Sequence, residues 1–296
     1  MYYKIGVDVG GTNTDAVLVS SKNVILAKTK QTTSTTISHG IENAIKNVIS
    51  EGNIPTEKIK YIMLGTTHCT NALVERKNLN KVGAIRIGLP ASRALPIMTD
   101  FPEDLKKILG KHNYLVHGGY EFDGRLISPL NEKEIKGYLL KMKGEVESLS
   151  ITGIFSKTLP NQELKVAEWA KNVLGTGIKI SCSHQVGGLG LLERENASIL
   201  NASLKGVATK MVTAFKETIK KLGLNSQLFI GQNDGTLMSL EQVQEFPVLT
   251  ISSGPTNSIR GAGALSKISN GIVIDVGGTT SDGGVLVNYF PRESTQ

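Results

Sequence analysis

Asp8-Val9-Gly10-Gly11-Thr12-Asn13-Thr14-Asp15 and Asp275-Val276-Gly277-Gly278-Thr279-Thr280-Ser281-Asp282 are near copies of one pattern. Each follows an apolar run and ends on a second Asp seven residues after the first. A turn between two strands exposes backbone N–H groups, and glycine lets the backbone approach an anion with no Cβ in the way. Gly10, Gly11, Gly277 and Gly278 fit that use. Thr12 and Thr279 can add hydroxyl donors, with Asn13, Thr14 and Thr280 beside them. A bare carboxylate would repel phosphate. Asp8 and Asp275 are therefore expected to hold Mg²⁺, directly or through water, or to position a nucleophile. Asp15 and Asp282, on the returning strands, could complete the metal shell or orient water. Glycine pairs and Asp are common in ordinary turns, so one copy would say little. Two copies, matched from strand to second Asp, point to two loops facing one polyphosphate.

A second candidate is Gly65-Thr66-Thr67-His68-Cys69-Thr70-Asn71, a polar loop between an expected strand and an expected helix. Thr66, Thr67 and the helix N–H groups could bind an anion or a carbonyl, with Asn71 one turn on. His68 could hydrogen-bond a substrate or act as acid or base. The plain alternative stays open: a threonine caps the helix and His68 is a surface residue. Cys69 has no evident base and reads as structural. Glu75 and Arg76 read as a surface pair. Other phosphate motifs are absent. Gly261 to Lys267 approaches a Walker loop but carries Ser266 where the second glycine should stand, and no Gly-x-Gly-x-x-Gly follows an expected strand.

These loops need strands to carry them. Residues 3–9, 15–20 and 24–30 read as a meander, and 35–51 as a helix with Ile37, Ile41, Ala44, Ile45, Val48 and Ile49 at helical spacing. Further strands are expected at 61–64, 81–87, 150–155, 178–183, 227–230 and 247–251. Further helices are expected at 70–76, 132–143, 162–174, 191–222 and 257–266. Residues 90–130, with Pro90, Pro96, Pro102 and Pro129, read as an irregular insertion on the main sheet with a hairpin at 118–125. Strands and helices alternate, which indicates an α/β fold with a mixed sheet flanked by helices. The opening meander followed by helix and strand suggests a ribonuclease-H-like arrangement.

Composition narrows the class. The chain has 296 residues, 40% hydrophobic and 20% charged, which suits a globular protein with a sizeable core. No apolar run approaches a membrane span, and the N-terminus enters a strand at once, so a cytoplasmic protein is expected. The net charge of +7 is spread over segments that mix both signs, which argues against a nucleic-acid partner. Two cysteines, Cys69 and Cys182, make no disulfide framework, and the histidines lack zinc-ligand spacing.

At the two hairpins the chain resembles the actin, sugar-kinase and heat-shock-chaperone ATPase superfamily. The small-residue segment Ser253 to Gly263 resembles that superfamily's connection between lobes. The resemblance narrows to the A-type branch of the ATP-dependent hydantoinase/oxoprolinase family. It is carried by Asp8 to Asp15, Gly65 to Arg76, Gly118 to Arg125, Glu193-Arg194, Asn201-Ala202, Gln232 to Met238, Ser253-Gly254-Pro255 and Asp275 to Asp282. Residues 86–100 match the family pattern poorly, so substrate identity does not carry over.

The resemblance implies an actin-type ATPase fold with ATP and Mg²⁺ as cofactors. It implies a domain at 1–180 and the first part of a second at 181–296, with the first lobe complete and the second truncated after its hairpin. It also implies a cyclic amide as substrate and a hydantoinase B-type partner chain, and a homo-oligomer stays open. The implied reaction transfers a phosphoryl group from ATP to the ring carbonyl oxygen, after which water opens the ring. Asp8, Asp275 and His68 are its catalytic candidates. A small-molecule kinase of the same superfamily, or a non-catalytic binding lobe, are the alternatives.

Overall fold

The structure, a computed structural model, describes residues 1–10, 12–32, 37–276 and 281–292. The chain forms two compact units, Met1–Asn71 with Ala208–Gln296, and Ala72–Val207. The division read from the sequence, at 180/181, follows chain order and falls inside the second unit. The compact units are a division by packing, in which the chain leaves the first sheet near residue 71 and returns near residue 208.

The first unit opens with β1 (Tyr3–Val9), β2 (Asn13–Ser20) and β3 (Ile25–Thr32), an antiparallel meander. After α1 (Ile37–Gly52), β4 (Ile59–Thr66) pairs parallel with β1, and α2 (His68–Val74) leaves its end. Side chains alternate across a strand. Ile5, Val7 and Val9 therefore enter the core with Leu18, Ile62 and Leu64, while Gly6 and Asp8 take the other face.

The second unit begins with β5 (Val82–Leu89), followed by α3 (Glu103–Leu109), β6 (Asn113–His117), α4 (Glu132–Met142), β7 (Ser148–Gly153), α5 (Asn161–Leu174), β8 (Lys179–Cys182), the short α6 (Ser183–Val186) and the start of α7 (Leu191–Lys221). Its strands form a parallel sheet in the order β6-β5-β7-β8. Residues 90–130 are thus part of a separate unit, not an insertion on the main sheet. The physical reason is β5, which is buried on both faces almost throughout and so can only be an inner strand of a covered parallel sheet. Ile135, Leu139 and Trp169 cover one face, and Met98, Leu105 and Ile199 the other. The expected hairpin at 118–125 is closed by Glu121 N–H donating to Arg125 O at 2.7 Å and by a bridge between Tyr120 and Leu126.

Two charged clusters hold this unit. Arg86, at 0% exposure, donates from Nε and Nη2 to Glu195 at 2.6 and 2.5 Å, and also to the carbonyls of Leu95 and Pro96. Glu163 accepts from Gly153 N, the hydroxyls of Ser156 and Ser183, and both the backbone N and Nδ1 of His184. Folding also brings Cys182 within reach of Glu163 and His184, a proximity that residue spacing could not reveal. Both Glu163 oxygens already accept from protein donors, so the cluster's evident role is structural.

The chain returns to the first unit along the rest of α7, which is unbroken. Then follow β9 (Gln227–Gly231), β10 (Leu237–Ser239), α8 (Leu240–Glu245), α9 (Ser253–Ser266), and an antiparallel three-stranded sheet of β11 (Gly271–Val276), β12 (Ser281–Val287) and β13 (Phe290–Pro291). The main sheet has the order β10-β9-β4-β1-β2-β3, with β9 parallel to β4. Met211, Val212 and Phe215 of α7 join Ile41, Ile45 and Val48 of α1 in its core. The strand expected at 247–251 is a 3₁₀ turn, Pro247–Thr250, in which proline pre-sets the first helical position and Thr250 Oγ1 donates to Pro247 O at 2.8 Å. Among the described residues, no helix is long and apolar enough to cross a membrane.

Glu195→Ala should destabilise the protein by about 3–5 kcal/mol in urea unfolding, because it strands the buried Arg86 charge. Glu163 gives a pH signature. Burial pushes its carboxyl pKa up, but the donors from His184, Ser156 and Ser183 outweigh this and hold it below the ordinary value. A depressed folded-state pKa contributes stability above the unfolded value and loses it as pH falls through the folded one. The stability gap between wild type and Glu163→Gln should therefore narrow in acid urea titrations.

Candidate functional site

The spacing of the aspartates has a direct structural meaning. In the β1–β2 ladder Asp8 stands opposite Asp15, and in the β11–β12 ladder Asp275 stands opposite Asp282. Seven residues is the separation that places both carboxylates of a hairpin side by side on one face. Gly10 N–H donates to Asn13 O at 3.0 Å to close the first turn. Thr12 is exposed and Asn13 half-buried. Thr14 is a correction: it lies opposite Val9 on the core face at 0% exposure, so its side chain points away from the Asp8 face. Gly11, Gly277, Gly278, Thr279 and Thr280 lie outside the described residues.

Like charges directly opposite one another destabilise a ladder. Here they also reach from one hairpin to the other. Asp8 keeps access to solvent, but the protein around its carboxylate desolvates it. That burial, then the charges of Asp15 and Asp275, raises its pKa. None of the four aspartates has an ion-pair partner among the described residues. Oxygen-only donors that repel one another and lack a cation suit a hard divalent ion such as Mg²⁺.

The floor between these carboxylates was not legible in the sequence. The ladders align Asp15, Asp8 and Gly65 across β2, β1 and β4, and Gly231 of β9 follows at the same level. A Cβ on Gly65 would run into Asp8 Oδ1, and one on Gly231 would lie 2.9 Å from Asn257 Nδ2 of α9. The two glycines thus make room for the side chains above them. A cavity of about 270 Å³ results, lined by Gly6, Asp8, Asp15, Gly65, Gly231 and Asn257 among others.

The second candidate region sits at the same end of the sheet, since Thr66 pairs with Val9. Thr66 Oγ1 accepts from His68 N–H at 3.2 Å and lies 3.1 Å from His68 Nδ1. The capping alternative therefore accounts for Thr66, which is buried. Asn71 Nδ2 donates to Thr67 Oγ1 at 3.2 Å. Burial lowers the His68 pKa, which keeps the imidazole neutral at physiological pH, and raises the Cys69 thiol despite a hydrogen bond with Thr250. Cys69 is a core residue at 1% exposure. Glu75 and Arg76 do not pair with each other: Glu75 meets Lys77, and Arg76 meets Asp104 at 2.8 Å. Thr70 Oγ1 accepts from Ser252 N–H at 3.2 Å, tying this loop to the start of α9.

Comparison with known proteins shows the family of the chain. Residues 4–174 match the hydantoinase/oxoprolinase N-terminal region, and residues 194–295 match hydantoinase/oxoprolinase. The chain is 28% identical to an uncharacterised protein of Methanocaldococcus jannaschii, over 98% of this chain and 44% of that protein. It is 26% identical to the alpha chain of the caprolactamase of Pseudomonas jessenii, over 95% of this chain and 43% of that one. The solved structure of the ATP-dependent caprolactamase from Pseudomonas jessenii matches with a TM-score of 0.78 at 22% identity, covering 95% of this chain and 43% of that one. A nucleotide-free acetone carboxylase matches with a TM-score of 0.75 at 18% identity, covering 97% of this chain and 44% of that one. Both share the α/β fold of mixed sheets and helices. The chain spans less than half the length of these relatives. With both family regions matched along most of its length, the chain belongs to the hydantoinase/oxoprolinase family.

Proposed function

We propose that this protein provides the nucleotide-phosphate side of an ATP-dependent enzyme that opens a cyclic amide of the hydantoin, 5-oxoproline or lactam type. The observation that carries this reading is the convergence of two like-charged hairpins on Asp8, beside a cavity floored by glycine. The meander continued by parallel β4 and β9 supports a ribonuclease-H-like, actin-type lobe. The names of two relatives support the chemistry: one is an ATP-dependent caprolactamase, the other a carboxylase that uses ATP.

A ring amide is resonance-stabilised and its carbonyl is a poor electrophile. Transfer of the γ-phosphoryl group of ATP to the carbonyl oxygen releases ADP and leaves a phosphorylated, electrophilic carbon. Water then adds to that carbon, the ring C–N bond breaks, the nitrogen takes up a proton, and phosphate departs. The protein's task is positioning and charge neutralisation. The backbone of Gly10, Gly11, Gly277 and Gly278 and the side chains of Thr12, Asn13, Thr279 and Thr280 would hold the phosphates. Asp8, Asp15, Asp275 and Asp282 would hold Mg²⁺, which supplies neutralisation of phosphate charge, and Asp8 and Asp275 could position the nucleophile. Neutral His68, with Thr67 and Asn71, would bind the ring. A hydantoinase B-type chain is the expected partner.

Asp8→Ala should reduce amide-dependent ADP release at least about 100-fold without lowering the thermal unfolding midpoint of the metal-free protein, since it removes a source of repulsion. Unaltered turnover would remove Asp8 from the mechanism, and no heat on titrating Mg·ATP into the wild type would favour a non-catalytic lobe. Protons compete with a cation for Asp8. The Mg²⁺ concentration giving half-maximal turnover should therefore rise as pH falls from neutral towards the ordinary carboxylate range.

A further inference from the structure

The cavity beside Asp8 presents side-chain acceptors and one side-chain donor. Its described polar lining is Asp8, Asp15 and Asn257; the other lining residues are glycines and apolar side chains. An ionised carboxylate only accepts hydrogen bonds, whereas an amide both donates and accepts. Asn257 is therefore the sole side-chain donor lining this cavity among the described residues. Its amide makes no hydrogen bond to any described residue. Yet the position is built. The amide rests on a shelf made by two glycines on adjacent strands, with Nδ2 at 3.4 Å from where a Gly65 Cβ would stand and 2.9 Å from where a Gly231 Cβ would stand. Asp8 Oδ1 overhangs the same Gly65 position. An acceptor and an unused donor thus flank one small volume on a bare backbone floor.

We propose that Asn257 is a positioning residue that, with Asp8, holds one water molecule over the Gly65–Gly231 shelf. The pairing of groups selects the ligand. A phosphoryl oxygen carries no hydrogen and cannot donate to the Asp8 carboxylate. Water donates an O–H to the Asp8 carboxylate and accepts an N–H from Asn257, satisfying both. A lone pair is left facing the open cavity. This inference rests on the proposed function in one respect: the water is assigned as the one consumed when the ring opens. It does not depend on that reading for its existence.

The test has two arms. A high-resolution crystal structure of the wild type should show a water within hydrogen-bond distance of both Asp8 Oδ1 and Asn257 Nδ2, absent in Asn257→Leu. A shelf filled by protein, or no ordered water there, overturns the inference. In steady-state kinetics, Asn257→Leu should lower kcat about 100-fold with the KM for ATP unchanged, since misplacing one reacting group costs on this order. Asn257→Ser, which keeps a short donor, should recover part of the loss. Gly231→Ala should reproduce the kcat defect by pushing the amide aside, and should add little in an Asn257→Ala background, where its methyl has room. Turnover by the wild type with unchanged kcat in Asn257→Leu defeats the inference and leaves the proposed function standing. A wild type that shows the water but turns over no cyclic amide defeats the proposed function and leaves the water site standing.

Discussion

The repulsion among carboxylates held opposite one another is the constraint around which the first unit is arranged. Asp8 faces Asp15, Asp275 faces Asp282, and the field of Asp275 reaches Asp8. Such an arrangement lowers stability unless something positive compensates it. Lys30 stands opposite Asp15 in the β2–β3 ladder, but no described lysine or arginine forms an ion pair with any of the four aspartates, although the chain as a whole carries a net charge of +7. Basic side chains are plentiful elsewhere, in surface pairs such as Lys46–Glu42 and Lys216–Glu241. A cation drawn from solution, with phosphate behind it, is the compensation that the proposed function supplies and that the oxygen-only donor set suits.

The rest of that unit serves to keep those groups on one face. Strand alternation commits Ile5, Val7 and Val9 to the core and thereby commits Asp8 to the opposite side. A one-residue slip of β1 would bury Asp8 and expose Ile5, Val7 and Val9. Gly65 and Gly231 keep the middle of the sheet bare, which lets Asp8 and Asn257 lie over it. At α9 the close approach is also made by missing side chains. A Cβ on Gly263 would meet Leu286, and one on Gly284 would meet Ile259, so helix and second hairpin pack at short range through glycine.

Much of this was legible in the sequence because it is periodic or repeated. The opening meander marked β1 and β2, the helical spacing marked α1, and the doubled Asp-Val-Gly-Gly-Thr marked the candidate site. What failed was information that lives only between segments. Thr14 reads as one more loop hydroxyl, but pairing with Val9 turns it into the core. Residues 90–130 read as an insertion because prolines break their pattern, whereas β5 beside them belongs to a separate parallel sheet. Glu163 looks like a surface residue of an amphipathic helix until Ser156, Ser183 and His184 close over it. Asn257 lies in the segment that resembles a connection between lobes, but nothing marked its side chain, since its meaning depends on two glycines 192 and 26 positions away. Pro247 to Thr250 shows the converse error, an apolar run too short to distinguish strand from helical turn.

The central claim is that the paired aspartates form a cation site completed by nucleotide phosphate. Electron paramagnetic resonance of Mn²⁺, titrated into the protein with and without ATP, tests it most directly. The account predicts weak binding of Mn²⁺ alone, tighter binding in the presence of ATP, and loss of the ATP-dependent component in Asp8→Ala. Mn²⁺ binding that is indifferent to ATP, or that survives Asp8→Ala intact, would contradict it.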